Sequence, residues 1–322
     1  MTKLKGVYIT GGPSRPTDSW LAARRAEGID IQAIDESADA YRSFPDREQM
    51  ELVICRQGIV NDMLQYYPNV KWLQLLNAGF ERVDLDLLRA RGILFTNASS
   101  VYCAGIADDV MAKLLFLGRG YWKLFRLQQE HCWNEAEIPT IYGDLQDRVL
   151  GILGAGAIGR HIAQRAKAFG LSVRGYDPYL TRQEHFDVVY HDEGGLQRLL
   201  NESDFVVTSL PVTEQTKDII NARTLAMMKP AAFLINVARG QIVDETALVD
   251  ALNRGIIAGA ALDVTKEEPL PADDPLWTAK NILITPHCAA YGNQMPLRMR
   301  DMIARNLNNY LNGSPMENRV KL

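Results

Sequence analysis

Cysteine is scarce in this sequence. There are four in 322 residues, Cys55, Cys103, Cys132 and Cys288, and no two form a C-x-x-C pair. So scattered a set excludes a disulfide framework or a clustered-thiol zinc site and reads as reduced thiols. A charge excess of either sign is also missing: 35 Lys and Arg stand against 39 Asp and Glu, for a net charge of −4. No basic surplus advertises nucleic acid or an anionic membrane surface as a partner. Long apolar runs are absent. A membrane-spanning helix needs about 18 or more apolar residues, and none is expected here. The N-terminal residues 1–10 lack the extended apolar region and small-residue cleavage site of a secretory signal, so a cytoplasmic location is expected.

What the sequence does have is an ordinary globular composition, 47% apolar and 23% charged, which excludes disordered and collagen-like classes. At ~150 residues per domain the length suggests about two domains. Short runs of Val, Ile and Leu alternate with longer amphipathic stretches. The first series predicts strands at 7–10, 29–34, 52–56, 72–76 and 93–96, with helices such as 20–27 and 85–91. Residues 107–130 read as one long helix, and 133–147 as irregular, with Pro139 and Gly143 as breakers. A second series predicts strands at 149–153, 172–176, 205–210, 232–236, 257–262 and 282–285, then a final helix over 294–312. Such alternation implies an α/β fold with parallel sheets. Six strands in the second series match a dinucleotide-binding sheet.

Gly154-Ala155-Gly156-Ala157-Ile158-Gly159 fits G-x-G-x-x-G, a weak signal alone. Here an apolar strand precedes it, an alanine-rich helix follows, and the next strand ends in Asp177, 18 residues after Gly159. Gly154 allows the tight turn, Gly156 lets backbone approach a pyrophosphate, and Gly159 lets helix pack closely on strand. The N–H groups of Ala157 and Ile158 then face phosphates at the positive helix end. Asp177 is placed to accept from ribose hydroxyls and to repel a 2′-phosphate, which favours NAD over NADP. Arg174 and Arg182 stand near enough in sequence to soften that preference. A methyltransferase places a nucleoside on a similar turn and is the alternative at this point.

Three further strand ends carry chemistry. One leads through Val237 and Ala238 to Arg239, which can grip a carboxylate with two parallel hydrogen bonds. The next runs from Asp263 through Lys266 to Glu267 and Glu268, and the last ends in His287. Ligands bind at the carboxyl ends of strands in open α/β sheets. Arg, Glu and His there suit reduction of a 2-oxo acid. The Arg holds the carboxylate and polarises the ketone, the His gives the proton, and the Glu favours the charged imidazole.

With these pieces the chain resembles the NAD-dependent D-isomer-specific 2-hydroxyacid dehydrogenase family. The matching stretches, in order, are 77–84, the glycine turn with Asp177, 210–216, 236–240, 261–269 and 285–289. The resemblance implies a Rossmann dinucleotide-binding domain, residues 99–289, inserted in a flavodoxin-like α/β substrate domain, residues 1–98 plus 290–322, with the active site in the cleft between them. It implies an oxidoreductase that interconverts a small 2-oxo acid and a D-2-hydroxy acid with NAD. Arg239 binds substrate, and Glu268 pairs with His287, the acid/base. Asp263 meets the nicotinamide carboxamide. Pro211, Val237, Ala238, Ala289 and Ala290 line the cofactor pocket, and backbone N–H groups around Ala78 and Gly79 hold the substrate carboxylate. It also implies a homodimer. An NAD(H)-sensing, corepressor-like protein of the same family is the competing reading. Asp108-Asp109, where the family has Glu followed often by His, and Cys288, where it often has an aliphatic residue, are departures.

Bland readings compete residue by residue. His131, His161, His185 and His191 read as structural or solvated, and Lys266 and Glu267 as solvated. Glu267 rivals Glu268, and the family's acid-before-proline pattern favours Glu268. Asp263 could be a plain strand-end cap. Arg56, at another strand end, is either a substrate contact or a surface arginine. The aromatic stretch 121–125, with Trp133 and Tyr142, reads as helix core or dimer contact. No metal site is expected. The sequence does not choose among hydroxypyruvate, glyoxylate, phosphoglycerate and bulkier oxo acids.

Overall fold

The computed structural model describes residues 3–11, 15–135 and 143–322, so Pro139 and Tyr142 lie outside the described residues. The chain divides into two compact units, Met1–Tyr102 with Gly292–Leu322, and Cys103–Tyr291. The second is thus an insertion in the sequence of the first.

The first unit holds five parallel strands: β1 (Leu4–Ile9), β2 (Ile29–Ile34), β3 (Leu52–Cys55), β4 (Trp72–Leu75) and β5 (Leu94–Thr96). Their order, β2-β1-β3-β4-β5, is the flavodoxin-like order. Along β3, Val53 and Cys55 enter one core while Leu52 and Ile54 enter another. A strand's side chains alternate between faces, so a strand buried on both faces must be apolar throughout. That is why a continuous run such as Leu-Val-Ile-Cys is legible as a strand. The C-terminal helix Met295–Leu311 supplies Met299, Met302, Ile303 and Leu307 to the second of these cores.

The second unit holds seven parallel strands: β6 (Val149–Leu153), β7 (Ser172–Tyr176), β8 (Val188–Tyr190), β9 (Phe205–Thr208), β10 (Phe233–Asn236), β11 (Gly259–Leu262) and β12 (Ile282–Ile284). Their order is β12-β11-β10-β9-β6-β7-β8. Counted from β6, this is the Rossmann order 3-2-1-4-5-6 with one further strand beyond. The sequence predicts six strands; the additional one is β8, a three-residue edge strand whose Val188 is exposed.

A second correction concerns residues 107–130. Two helices, Ser99–Gly118 and Tyr121–Gln129, replace the single long one. They part at Gly120, which takes φ 69°, a left-handed conformation that stops a helix. Helix Tyr121–Gln129 buries none of its residues, and Tyr121, Phe125 and Trp133 are exposed. The helix-core reading of these aromatics therefore fails. Among the described residues no helix is long and apolar enough to cross a membrane, and no cluster of three or more metal-ligating side chains occurs.

Candidate active site

The glycine turn sits where the β6 edge faces both β7 and β9, the point at which strand order reverses. Gly154 has φ 97°. At Gly159 a Cβ would lie 2.2 Å from the Gly154 carbonyl oxygen, so no side chain fits between helix Ala157–Ala168 and the turn. At Gly156 the reverse holds: a Cβ there would meet nothing within 4 Å. Exposed at Gly156 and Ala157, the turn leaves room for another molecule there, and the N–H groups of Ala157 and Ile158 find no acceptor among the described residues. The arrangement fits a dinucleotide pyrophosphate.

Asp177 follows β7 directly. One carboxylate oxygen accepts the Ala155 N–H at 3.1 Å and the other the Tyr179 N–H at 3.0 Å. The carboxylate thus ties the glycine turn to the strand end beside it. Arg174 is engaged elsewhere, in an ion pair with Glu202 at 2.9 Å, while Arg182 is exposed. Pro211, exposed at the end of the β9 loop, accepts the Thr216 hydroxyl on its carbonyl at 2.6 Å.

The carboxyl ends of β10, β11 and β12 bring the other candidates together. His287 Nδ1 lies 2.7 Å from Glu268 Oε2. The second Glu268 oxygen accepts the Thr265 N–H at 3.2 Å, so the carboxylate is held from both sides. Glu268, not Glu267, is the acid beside the imidazole. Both members of the pair are half exposed, open to a ligand. His287 takes φ 50°. Asp263, 2% exposed, sets that conformation. Its carbonyl accepts the His287 N–H at 2.7 Å, and its carboxylate accepts from the Thr285 hydroxyl, the Cys288 N–H and the Ala289 N–H at 2.6, 3.0 and 2.9 Å. Ala290 packs by its carbonyl against Gly105, where a Cβ would come within 3.0 Å.

Arg239 leaves β10 through the buried Val237 and Ala238. Asn236 organises this turn: its side chain donates to the Arg239 carbonyl at 2.9 Å and accepts the Ala238 N–H at 3.0 Å. The guanidinium donates to the Ala238 carbonyl at 2.7 Å. The Arg239 loop meets the loop that leads to Glu268 at Gly240.

The two departures have local explanations. Asp108 pairs with Arg165 at 2.6 Å, and Asp109 pairs with the almost fully buried Lys113. Burial pushes the Asp109 carboxyl up, against the pull of Lys113. Burial, then the nearby Asp263 charge, likewise pushes the Cys288 thiol up. Lys266 is exposed, as the solvated reading expects, and it is also paired. Its ammonium pairs with Asp218 at 2.8 Å and its N–H donates to Glu245 at 2.7 Å. Neither partner stood out in the sequence, since Glu245 reads as an ordinary first-turn acid of helix Glu245–Arg254.

In the first unit, Arg56 is partly exposed and lies 3.8 Å from Glu36. The Ala78–Gly79 backbone is held from below: Asn97 donates to the Ala78 carbonyl at 2.8 Å, and Asn77 accepts the Gln57 N–H at 2.9 Å. The N–H groups of Ala78 and Gly79 have no acceptor among the described residues.

The family model described as D-isomer specific 2-hydroxyacid dehydrogenase, NAD binding domain, matches residues 111–289. A glyoxylate reductase of Korarchaeum cryptofilum is 37% identical over 249 residues, covering 76% of this chain and 74% of that protein. A glyoxylate/hydroxypyruvate reductase B of Yersinia pestis is 36% identical over 279 residues, covering 85% and 84%. A D-isomer specific 2-hydroxyacid dehydrogenase from Xanthobacter autotrophicus, solved with NADPH and MES, superposes with a TM-score of 0.82 at 29% identity, covering 98% of each chain.

Proposed function

The chain belongs to the D-isomer specific 2-hydroxyacid dehydrogenase family, and from that premise we propose that it reduces a small 2-oxo acid to the D-2-hydroxy acid. The observation that carries the reading is the half-exposed His287–Glu268 pair, 2.7 Å apart, on a sheet whose glycine turn suits a dinucleotide. The nicotinamide cofactor, when bound, supplies the hydride. Gly154, Gly156, Gly159 and the Ala157 and Ile158 N–H groups would hold its pyrophosphate, and Asp177 its adenosine ribose. Val237, Ala238, Pro211, Ala289 and Ala290 would line its path.

His287 donates the proton to the carbonyl oxygen of the substrate. Glu268 fixes the ring by its Nδ1, which leaves Nε2 for the substrate. Arg239 binds the carboxylate and stabilises the charge developing on the carbonyl oxygen, an effect worth ~3–4 kcal/mol per donor elsewhere. In the first unit, the Ala78 and Gly79 N–H groups and Arg56 are the substrate-binding groups. Asp263 acts by holding the His287 loop, with a cofactor contact as its second role. NAD is the expected cofactor because of Asp177, although the Xanthobacter relative was solved with NADPH. The exposed aromatic helix Tyr121–Gln129 makes a homodimer contact, in a cytoplasmic protein. A sedimentation mass of 36.1 kDa, the monomer value, would overturn the dimer.

The deciding assay follows the loss of reduced-nicotinamide absorbance against a panel of 2-oxo acids, with NADH and NADPH side by side. Turnover of hydroxypyruvate, glyoxylate or a larger oxo acid establishes the activity and names the substrate. Tight NADH binding with no turnover of any acid would replace it with the nucleotide-sensing reading.

A further inference from the structure

The loop that carries Arg239 and the loop that carries Glu268 are braced against each other at three points, and Lys266 takes part in all three. At the first, Gly240 lies flat on the backbone of Thr265 and Lys266; a Cβ on it would fall 2.0 Å from the Thr265 carbonyl carbon and 2.3 Å from the Lys266 nitrogen. At the second, the Lys266 N–H donates to Glu245 Oε1 at 2.7 Å. Burial pushes the Glu245 carboxyl up, against the pull of that N–H and of the Lys266 charge. At the third, the Lys266 ammonium pairs at 2.8 Å with Asp218, whose own N–H donates to the Gln241 carbonyl at 2.8 Å. Asp218 holds φ 50°, in the left-handed region that few non-glycine residues adopt.

We propose that Lys266 is a positioning residue for the reaction: clamped by Glu245 at its N–H and by Asp218 at its ammonium, it sets the spacing of Arg239 from the Glu268–His287 pair. The inference rests on the oxidoreductase reading above. Its route is short. Lys266 fixes Thr265, the Thr265 N–H holds one oxygen of Glu268 at 3.2 Å, and the other oxygen is thereby left facing His287 at 2.7 Å. On the opposite side, Asp218 holds Gln241, two residues from Arg239. The Lys266–Asp218 pair is more than a third exposed, and a pair so exposed contributes little to stability. Its effect is on geometry.

Four variants test this: Lys266→Met, which keeps the apolar stem, Asp218→Asn, Glu245→Ala and Glu245→Gln, which keeps an acceptor for the Lys266 N–H. K266M and D218N are each expected to lower kcat about tenfold, because small misplacements of reacting groups are costly. NADH affinity and thermal midpoint should stay near wild type, and the double variant should be no worse than either single one. E245A should resemble them, and E245Q should recover most of the loss. A second readout needs no substrate: the His287 Nδ1–H resonance, assigned by its loss in His287→Gln, should broaden in K266M and E245A and persist in E245Q. Unchanged kcat in both K266M and D218N, or an unmoved His287 resonance in K266M and E245A, overturns the proposal. A wild-type enzyme that turns over no 2-oxo acid defeats the functional reading alone, and the resonance then decides the positioning role.

Discussion

The carboxylate of Asp263 reaches from the end of β11 to accept the Ala289 N–H at 2.9 Å, and so spans the loop that carries His287. Its other oxygen takes the Cys288 N–H and the Thr285 hydroxyl. In Asp263→Asn an amide NH2 must face at least one of these donors. Leaving a buried donor unsatisfied costs about 1–3 kcal/mol. The variant should show a lower urea midpoint and, because His287 rides on the same loop, lower turnover. An unchanged midpoint would mean the loop is held by other means.

His287→Ala removes the proposed proton donor. Turnover should fall roughly a hundredfold or more, the usual scale of general acid catalysis, while NADH binding stays nearly intact. Glu268→Gln keeps the size of the side chain and removes its charge, so it should lose turnover less than His287→Ala. Wild-type turnover in His287→Ala would refute the assignment.

How much of this was legible beforehand depends on the range of each interaction. Strands such as β3 and β9 were readable because burial on both faces demands an unbroken apolar run. The edge strand β8 was not, since Val188 faces solvent and three residues carry little pattern. The break at Gly120 was hidden by apolar residues on both sides of it. In the site, Glu268 and His287 are legible by position and are in contact, whereas the pairing of Lys266 is not legible. A lysine beside two glutamates looks like a solvated charge run. Its partners Glu245 and Asp218 come from distant parts of the sequence, and only the packed fold brings them near.

The thiols offer a check on burial. Cys55 and Cys103 are buried, Cys132 is exposed and Cys288 lies between. Burial raises the Cys55, Cys103 and Cys288 thiols above their ordinary range, which keeps them protonated and unreactive at neutral pH. One thiol, Cys132, should therefore react quickly with an aromatic disulfide reagent. Cys288, its thiol pushed up, should react more slowly and speed up as the pH rises. Fast labelling of Cys288 at neutral pH would contradict its environment.

Asp177→Ala tests cofactor choice. Repulsion between unit charges near a protein surface is worth on the order of 1–4 kcal/mol, so kcat/KM for NADPH relative to NADH should rise tenfold or more. Absolute efficiency with NADH should fall, because the Ala155 and Tyr179 N–H groups lose their acceptor. If wild type already prefers NADPH, Asp177 does not govern selection, and the exposed Arg182 becomes the residue to change.

Two glycines with opposite surroundings make the sharpest comparison. In Gly240→Ala the new methyl would overlap the backbone of Thr265, which has no flexible end to swing away. One of the two loops must shift, at about 1–3 kcal/mol for an overpacked site, and Arg239 or Glu268 moves with it. Turnover should collapse. In Gly156→Ala the methyl meets no protein atom and the backbone there is extended, so the fold should be untouched. What it meets is the space proposed for the pyrophosphate, and NADH affinity should drop with the urea midpoint unchanged. If both variants lost stability alike, or if G156A bound NADH as well as wild type, the assignment of that space to the cofactor would be wrong.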